Sequence, residues 1–191
     1  MTSVIVFLAP GFEEIEASTI IDVLRRSNIR VTIVGLTSKE VKGAHAIKII
    51  PDVNIDKVIL ENYDAVILPG GSPGYKNLKK NKKVMEIIKK AFIKNKLIAA
   101  ICAAPAVLSE TGILKGKKCT IYPGMESELK KGGGIHQEKW IVEDGNIITS
   151  QGPATALPFA IKIVEKLTNK ETAEILKEKT LANLVLKNNY Y

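Results

Sequence analysis

Short apolar runs alternate along this chain with stretches whose apolar residues recur every three or four positions. "SVIVFLA" (3–9), "RVTIVGL" (30–36), "YDAVILPGG" (63–71) and "KLIAAIC" (96–102) have the length and β-branched content of buried strands. Between them, "IEASTIIDVLRRS" and a segment over about 82–94 carry the 3.6-residue period of helices, and another helix is predicted near Pro105. "AHAIKIIPD" (44–52) predicts a short ribbon, and "KKCTIY" (117–122) a fifth strand. "KWIVEDGNIITS" (139–150) predicts a hairpin turning at Asp144-Gly145, and "ATALPFAIKIVEKL" and "KETAEILKEKT" supply the last helices. Continuous apolar strands alternating with helices imply a mainly parallel sheet covered on both faces, an α/β three-layer sandwich. No internal repeat and no Pro/Gly/Ser-rich linker divides residues 1–191, so one domain is expected, with residues 187–191 ("KNNYY") as a frayed tail.

Composition narrows the class of protein. The 191 residues are enough for a real core, and 46% hydrophobic with 25% charged residues is the balance of a soluble globular chain. No apolar run approaches the ~20 residues of a membrane span. The start "MTSVIVFLAPGFEE" has no basic segment before its apolar run, so no signal peptide is expected. Two cysteines, Cys102 and Cys119, read as free thiols in a cytoplasmic protein. The net charge is +8, yet Arg25, Arg26 and Arg30 are the only arginines and aromatics make up 5%. Lysines scattered among helical apolar positions read as a solvated surface; nucleic acid is expected to bind weakly if at all.

In open α/β sheets ligands bind beyond the carboxyl ends of the strands, which directs attention to "PGFEEIE", "PGGSPG", "CAAP", "YPG" and "QGPAT". Cys102 stands where a strand gives way to a helix. Unpaired amides and the helix dipole there favour an anion, so a lowered thiol pKa and a nucleophilic thiolate are expected. The small Ala103 and Ala104 permit a sharp turn of the nucleophile-elbow type, although placement alone fits a buried structural cysteine equally well. Glu13, Glu14 and Glu16 follow the first strand and suit either a solvated helix start or, for Glu16 among Ile15, Ala17, Ile20 and Ile21, an inward carboxyl. Burial raises a carboxyl's pKa, and such a group could exchange a proton with the thiol. Amides of Gly70, Gly71 and Ala103 could form an oxyanion hole, with a plain turn as the alternative for the glycine pair. His136 reads as a surface residue, and His45 as facing either the cleft or solvent. Neither has ligand spacing with the cysteines, so no metal is expected; no GxGxxG or Walker pattern occurs, so no nucleotide cofactor is indicated.

Taken together, "VFLAPGFEEIEA", "DAVILPGG", "IAAICAAPAVL" and "ITSQGPATALPFAIKIVEKL" resemble the ThiJ/PfpI superfamily, in particular its branch of parkinsonism-associated protein deglycases, in register from about residue 3 to 186. The resemblance implies a flavodoxin-like sandwich, a homodimer and no organic cofactor. By position it makes Cys102 the nucleophile and oxidation-sensing cysteine, Glu16 its hydrogen-bonding partner, Gly70 and Gly71 the oxyanion-side turn, and Ala103 the residue after the nucleophile. Tyr122 stands where many members have a His, and His45 where relatives can carry Arg. A phenol is a poor base at neutral pH, so a Cys-His dyad is disfavoured and Cys-Glu chemistry favoured. The activity implied is that of a protein deglycase and glyoxalase III acting on methylglyoxal or its early protein adducts. The alternatives are a redox-sensing stress chaperone that uses the same cysteine and, further off, a cysteine peptidase.

Overall fold

The computed structural model describes residues 1–37 and 39–186 of the chain; the tail expected to fray lies outside the described residues. Its strands are β1 (Ser3–Leu8), β2 (Arg30–Gly35), β3 (Val41–Lys42), β4 (Lys48–Ile49), β5 (Val53–Asn54), β6 (Ala65–Leu68), β7 (Leu97–Ile101), β8 (Lys118–Cys119), β9 (Ile135–His136), β10 (Ile141–Asp144) and β11 (Ile147–Ser150). The helices are α1 (Glu14–Arg26), α2 (Gly74–Lys80), α3 (Lys82–Ile93), α4 (Pro105–Thr111), α5 (Glu126–Lys131), α6 (Ala156–Leu167), α7 (Lys170–Lys179) and α8 (Ala182–Leu186). Seven strands form one sheet in the order β10-β11-β7-β6-β1-β2-β5, with every pairing parallel except the β10–β11 hairpin.

The period of two along each strand divides the interior into two cores. Val4, Val6 and Leu8 of β1, with Ala65 and Ile67 of β6, face a layer built by α1 and α6. Ile5 and Phe7, with Val66 and Leu68, face the layer that holds α3 and α4. On α1 the residues Ala17, Ile20, Ile21 and Leu24 are buried, one face of a 3.6-residue helix. The central strands are buried on both sides, which explains their unbroken apolar sequence.

Three expectations are corrected. The run 117–122 supplies only β8, which pairs with β9 in a separate two-stranded sheet and stays out of the main one. Its Thr120 amide donates instead to the Thr149 hydroxyl at 2.9 Å, and its Tyr122 amide to the Cys102 carbonyl at 2.9 Å. The ribbon is the hairpin β3–β4, displaced toward residue 41, and Val53–Asn54 adds an edge strand to the main sheet. The last hairpin turns through Gly145 and Asn146, one residue later than expected, with Asp144 still paired to Ile147.

The chain builds β1, β2 and β5 toward one edge, then returns to build β6, β7 and β11 toward the other. The reversal falls between β1 and β6, and a crevice opens at their carboxyl ends.

Candidate active site

Three connections converge on that crevice. The segment after β1 enters α1, whose first turn carries Glu16 on its buried face. After β6 come Gly70 and Gly71, and after β7 comes Cys102. Cys102 has φ +62, a left-handed conformation unusual for a residue with a side chain. Its amide donates to the Ser150 carbonyl at 3.0 Å, and its carbonyl accepts from Tyr122. The end of β11 and the segment after β8 thus hold the turn in the conformation that presents the thiol. The strand-to-helix elbow expected here is present, with Pro105 opening α4.

Glu16 is fully buried. Its Oε2 accepts the Gly70 amide at 2.7 Å, while Oε1 is buried without a partner among the described residues. The carboxyl also shares a hydrogen bond with the Cys102 thiol. Burial is the main cause that raises the Glu16 pKa from 4.5 to about 7, against the opposing effect of the Gly70 and Cys102 hydrogen bonds. Gly70 has no room for a side chain: a methyl group there would lie 2.7 Å from Cys102 Cβ and 3.0 Å from Glu16 Oε2. Gly71, at φ +94, takes a backbone conformation suited to glycine.

Two site expectations change. The Gly70 amide is already given to Glu16, so it is not part of an anion cradle; the Gly71 and Ala103 amides are the ones that address the thiol. The Cys102 pKa, expected to fall, is pushed up to about 12. Burial is the largest cause, followed by the charge of Glu16 and the hydrogen bond to it, and these outweigh the two amides. The helix dipole contributes little because α4 is short, seven residues, and begins three residues beyond Cys102. Glu16 and Cys102 are therefore one coupled acid pair, in which the carboxyl gives up its proton first and the thiol keeps its own while that charge remains.

Around this pair, Tyr122 is half-exposed and its ring lies against Gly152. Glu13 caps α1 through the Ile15 amide. Glu14 is buried, unlike a solvated helix-start acid, and accepts from the amides of His45 (2.6 Å) and Ile47 (3.3 Å). The exposed His45 ring meets Glu14 Oε2 at 3.0 Å and Glu13 Oε2 at 3.6 Å, and these contacts raise its pKa. Ligand atoms of Glu13, Glu14 and His45 lie within 4.8 Å of one another, a grouping that spacing from the cysteines does not reveal. His45 thus closes onto the start of α1, with no hydrogen bond to Cys102 among the described residues. His136 is half-buried on β9, outside this group.

Sequence reasoning singles out "QGPAT" without giving Thr155 a role, and passes over Ser150. The Ser150 hydroxyl bonds the Trp140 carbonyl and the Thr155 hydroxyl, both at 2.7 Å, which fixes the carbonyl that holds Cys102. Thr155 in turn receives the Gly152 amide at 3.1 Å. The signal was available, since Ser150 ends a strand paired with the one that leads into Cys102 and "QGPAT" follows it.

A doubly wound sheet with a cysteine on a strained turn at its switch point, coupled to a buried glutamate, defines a class of α/β proteins built around one reactive thiol. A family profile described as the DJ-1/PfpI family matches residues 2–166. The Drosophila melanogaster protein dj-1beta is 42% identical over 173 residues, 90% of this chain and 92% of that one. Its crystal structure superposes with a TM-score of 0.90 at 40% identity, covering 94% of this chain and 97% of that chain. The Toxoplasma gondii DJ-1 structure, solved oxidised, gives 0.90 at 34% identity over 95% of this chain and 98% of that one. A Caenorhabditis elegans relative named glutathione-independent glyoxalase DJR-1.2 is 36% identical over 182 residues, 94% of this chain and 97% of that one. This chain belongs to the DJ-1/PfpI family.

Proposed function

We propose that the protein is a cofactor-free, cysteine-dependent enzyme that converts methylglyoxal to lactate and removes its early adducts from protein side chains. The observation that carries this reading is the Cys102–Glu16 pair, one buried carboxyl coupled to one thiol at the switch point. Above about pH 7 the pair has lost one proton. The remaining proton is held by oxygen or by sulfur, and attack uses the form with protonated Glu16 and a Cys102 thiolate. The amides of Gly71 and Ala103 stabilise charge on the sulfur in that form.

The thiolate adds to the aldehyde carbon, and Glu16 gives its proton to the resulting alkoxide, forming a hemithioacetal. As carboxylate, Glu16 then takes the proton from that same carbon, and a proton returns to the neighbouring carbon. The product of this isomerisation is a lactoyl thioester on Cys102. Water hydrolyses the thioester, releasing lactate and restoring the thiol, so the sum is methylglyoxal plus water to lactate and a proton. The name of the worm relative supports this substrate class. Lactate is followed from methylglyoxal with wild type and Cys102→Ser; equal turnover would sink the mechanism. The same pair of proteins acting on a freshly glycated peptide separates adduct removal from clearance of the free dicarbonyl.

A second reading, redox sensing with a stress-chaperone role, has support from the oxidised Toxoplasma relative. Protonated Glu16 would donate to a Cys102 sulfinate. Mild peroxide followed by intact mass tests it, since a Cys102 that gains no oxygen rules it out. For quaternary structure the reading is a homodimer, supported by Ile15, Ile47 and Ile50, each more than half exposed on or near α1 and the β3–β4 hairpin. Sedimentation of wild type and Ile50→Glu checks it; a monomeric wild type removes it.

A further inference from the structure

The net charge of the chain is concentrated in one place. Residues 74–96, which hold α2 and α3, carry nine lysines against the single acid Glu86. Outside them, 19 basic residues stand against 19 acidic ones, so these 23 residues account for the whole +8. The fold lays this lysine-rich stretch out as two consecutive helices, with Lys94 and Lys96 just beyond the second. The apolar side of α3, with Val84, Ile87, Ile88 and Ala91, is packed into the second core, and Leu78 anchors α2 there. The lysines are left on the outer side.

Four of the nine are engaged elsewhere. Lys79 pairs with Glu110 at 2.8 Å, Lys83 with Asp56 at 3.1 Å and Lys94 with Glu61 at 2.7 Å, while Lys96 donates to the Tyr63 carbonyl. The other five, Lys76, Lys80, Lys82, Lys89 and Lys90, are exposed and have no carboxylate partner among the described residues. Lys76 rests over the ring of its neighbour Tyr75. Lys76 and Lys80 are one turn apart on α2, while Lys82 and the pair Lys89–Lys90 are two turns apart on α3, ~11 Å along its axis.

We propose that this outer face of α2 and α3 docks the phosphate backbone of duplex nucleic acid without reading its sequence. A duplex presents a negative charge every ~1.7 Å, a linear array that a row of unpaired ammonium groups can follow. Lys offers point charges and lacks the planar fork that reads guanine edges, which confines recognition to phosphates. Tyr75 and Phe92 are the aromatics of the segment and both lean on the second core, so bases have no exposed stacking platform. An anionic bilayer fits less well: the apolar face of α3 is spent on the core, leaving Ile93 alone to insert.

The test is fluorescence anisotropy of a labelled random-sequence DNA duplex of about 20 base pairs, titrated with the full chain across a salt series. Five phosphate contacts give a log–log slope of affinity against salt of about −4.5. The triple variant Lys82→Glu, Lys89→Glu, Lys90→Glu weakens binding at least ~10-fold at low salt and flattens the slope by about three. A matched triple elsewhere on the surface, Lys115→Glu, Lys139→Glu, Lys170→Glu, makes the same change in net charge and leaves affinity within about twofold. Circular dichroism and Cys102 alkylation confirm that both variants fold. Equal weakening by the two triples would show that net charge, not this face, attracts the duplex, and would overturn the proposal. Absence of binding at low salt overturns it as well, as does capture by phosphatidylserine vesicles through the same lysines while the duplex stays free.

Discussion

The two cysteines of this chain separate what makes a thiol unreactive from what gives it work to do. Cys119, on β8, is fully buried, and its thiol is pushed up to about 11, by burial first and then by the charge of Asp144. Its sulfur meets the Ile135 carbonyl, an acceptor, at 4.0 Å, and a backbone hydrogen bond at Ile135 only partly offsets the two raising causes. Cys102 is pushed up even further, to about 12, again by burial first. A raised pKa therefore does not distinguish them. The difference lies in the company: Cys102 has two amide donors and a buried carboxyl whose pKa is raised to about 7, and it is held on a turn at φ +62. A thiolate at Cys119 has a single backbone contact in its favour, at Ile135, and the nearby Asp144, whose own pKa is lowered by Lys118 and Lys117, does not hold the displaced proton. The lesson is that a nucleophile in a dry site depends on where the proton goes, more than on the acidity of the thiol alone.

The widest gap between the cysteines is expected from their removal. Cys102→Ala lowers lactate formation from methylglyoxal by at least ~1000-fold. Cys119→Ala leaves turnover within about twofold and lowers stability by about 1 kcal/mol in urea unfolding. Comparable losses of activity from both would dissolve the contrast. Next in size is Glu16→Gln, which keeps the shape but removes the proton carrier; turnover falls ~100-fold or more. Because the carboxylate charge holds the thiol pKa up, the same change makes Cys102 more acidic. A slower enzyme with a more acidic thiol is a combination that simple misfolding does not produce.

Glu16 also leaves a signature in stability. Its folded pKa of about 7 lies above the ordinary 4.5, so between those values the native state binds more protons than the unfolded chain. The Glu16 contribution is fully present below 4.5 and lost as pH rises through 7, a fall of ~3 kcal/mol for a group this buried. Urea midpoints for wild type against Glu16→Gln should converge in slope outside that window and diverge within it. A more modest loss of stability is expected at Gly70→Ala, where a methyl group 2.7 Å from Cys102 Cβ costs ~1–3 kcal/mol of overpacking. An unperturbed melting temperature there would mean that the crevice yields more than its packing suggests.

Much of the sheet was legible because β1, β6 and β7 are buried on both faces and so read as unbroken apolar runs. Cys102, Glu16 and Gly71 were legible from the same source, since the residues after those strands meet at the switch point. What was hidden depends on partners far along the chain. "KKCTIY" has strand composition, but its Thr120 amide is taken by a side chain, Thr149, and this keeps it out of the main sheet. The helix α2 opens at Gly74 and is only seven residues long, too short for a periodic signal. The direction of the Cys102 shift was misread because local sequence announces a helix start but not the depth of burial or the facing carboxylate. The lysines of α2 and α3 read as scatter until the inner face of α3 is known to be filled.

The most direct test of the central claim is the pH dependence of Cys102 alkylation in wild type and Glu16→Gln, with Cys119→Ala as the background for both. If one proton is shared by the pair, the wild-type rate rises through about pH 7 as Glu16 and Cys102 together lose it, and Glu16→Gln loses that step. Superimposable profiles for the two proteins would contradict the coupling of Glu16 to Cys102 and the account built on it.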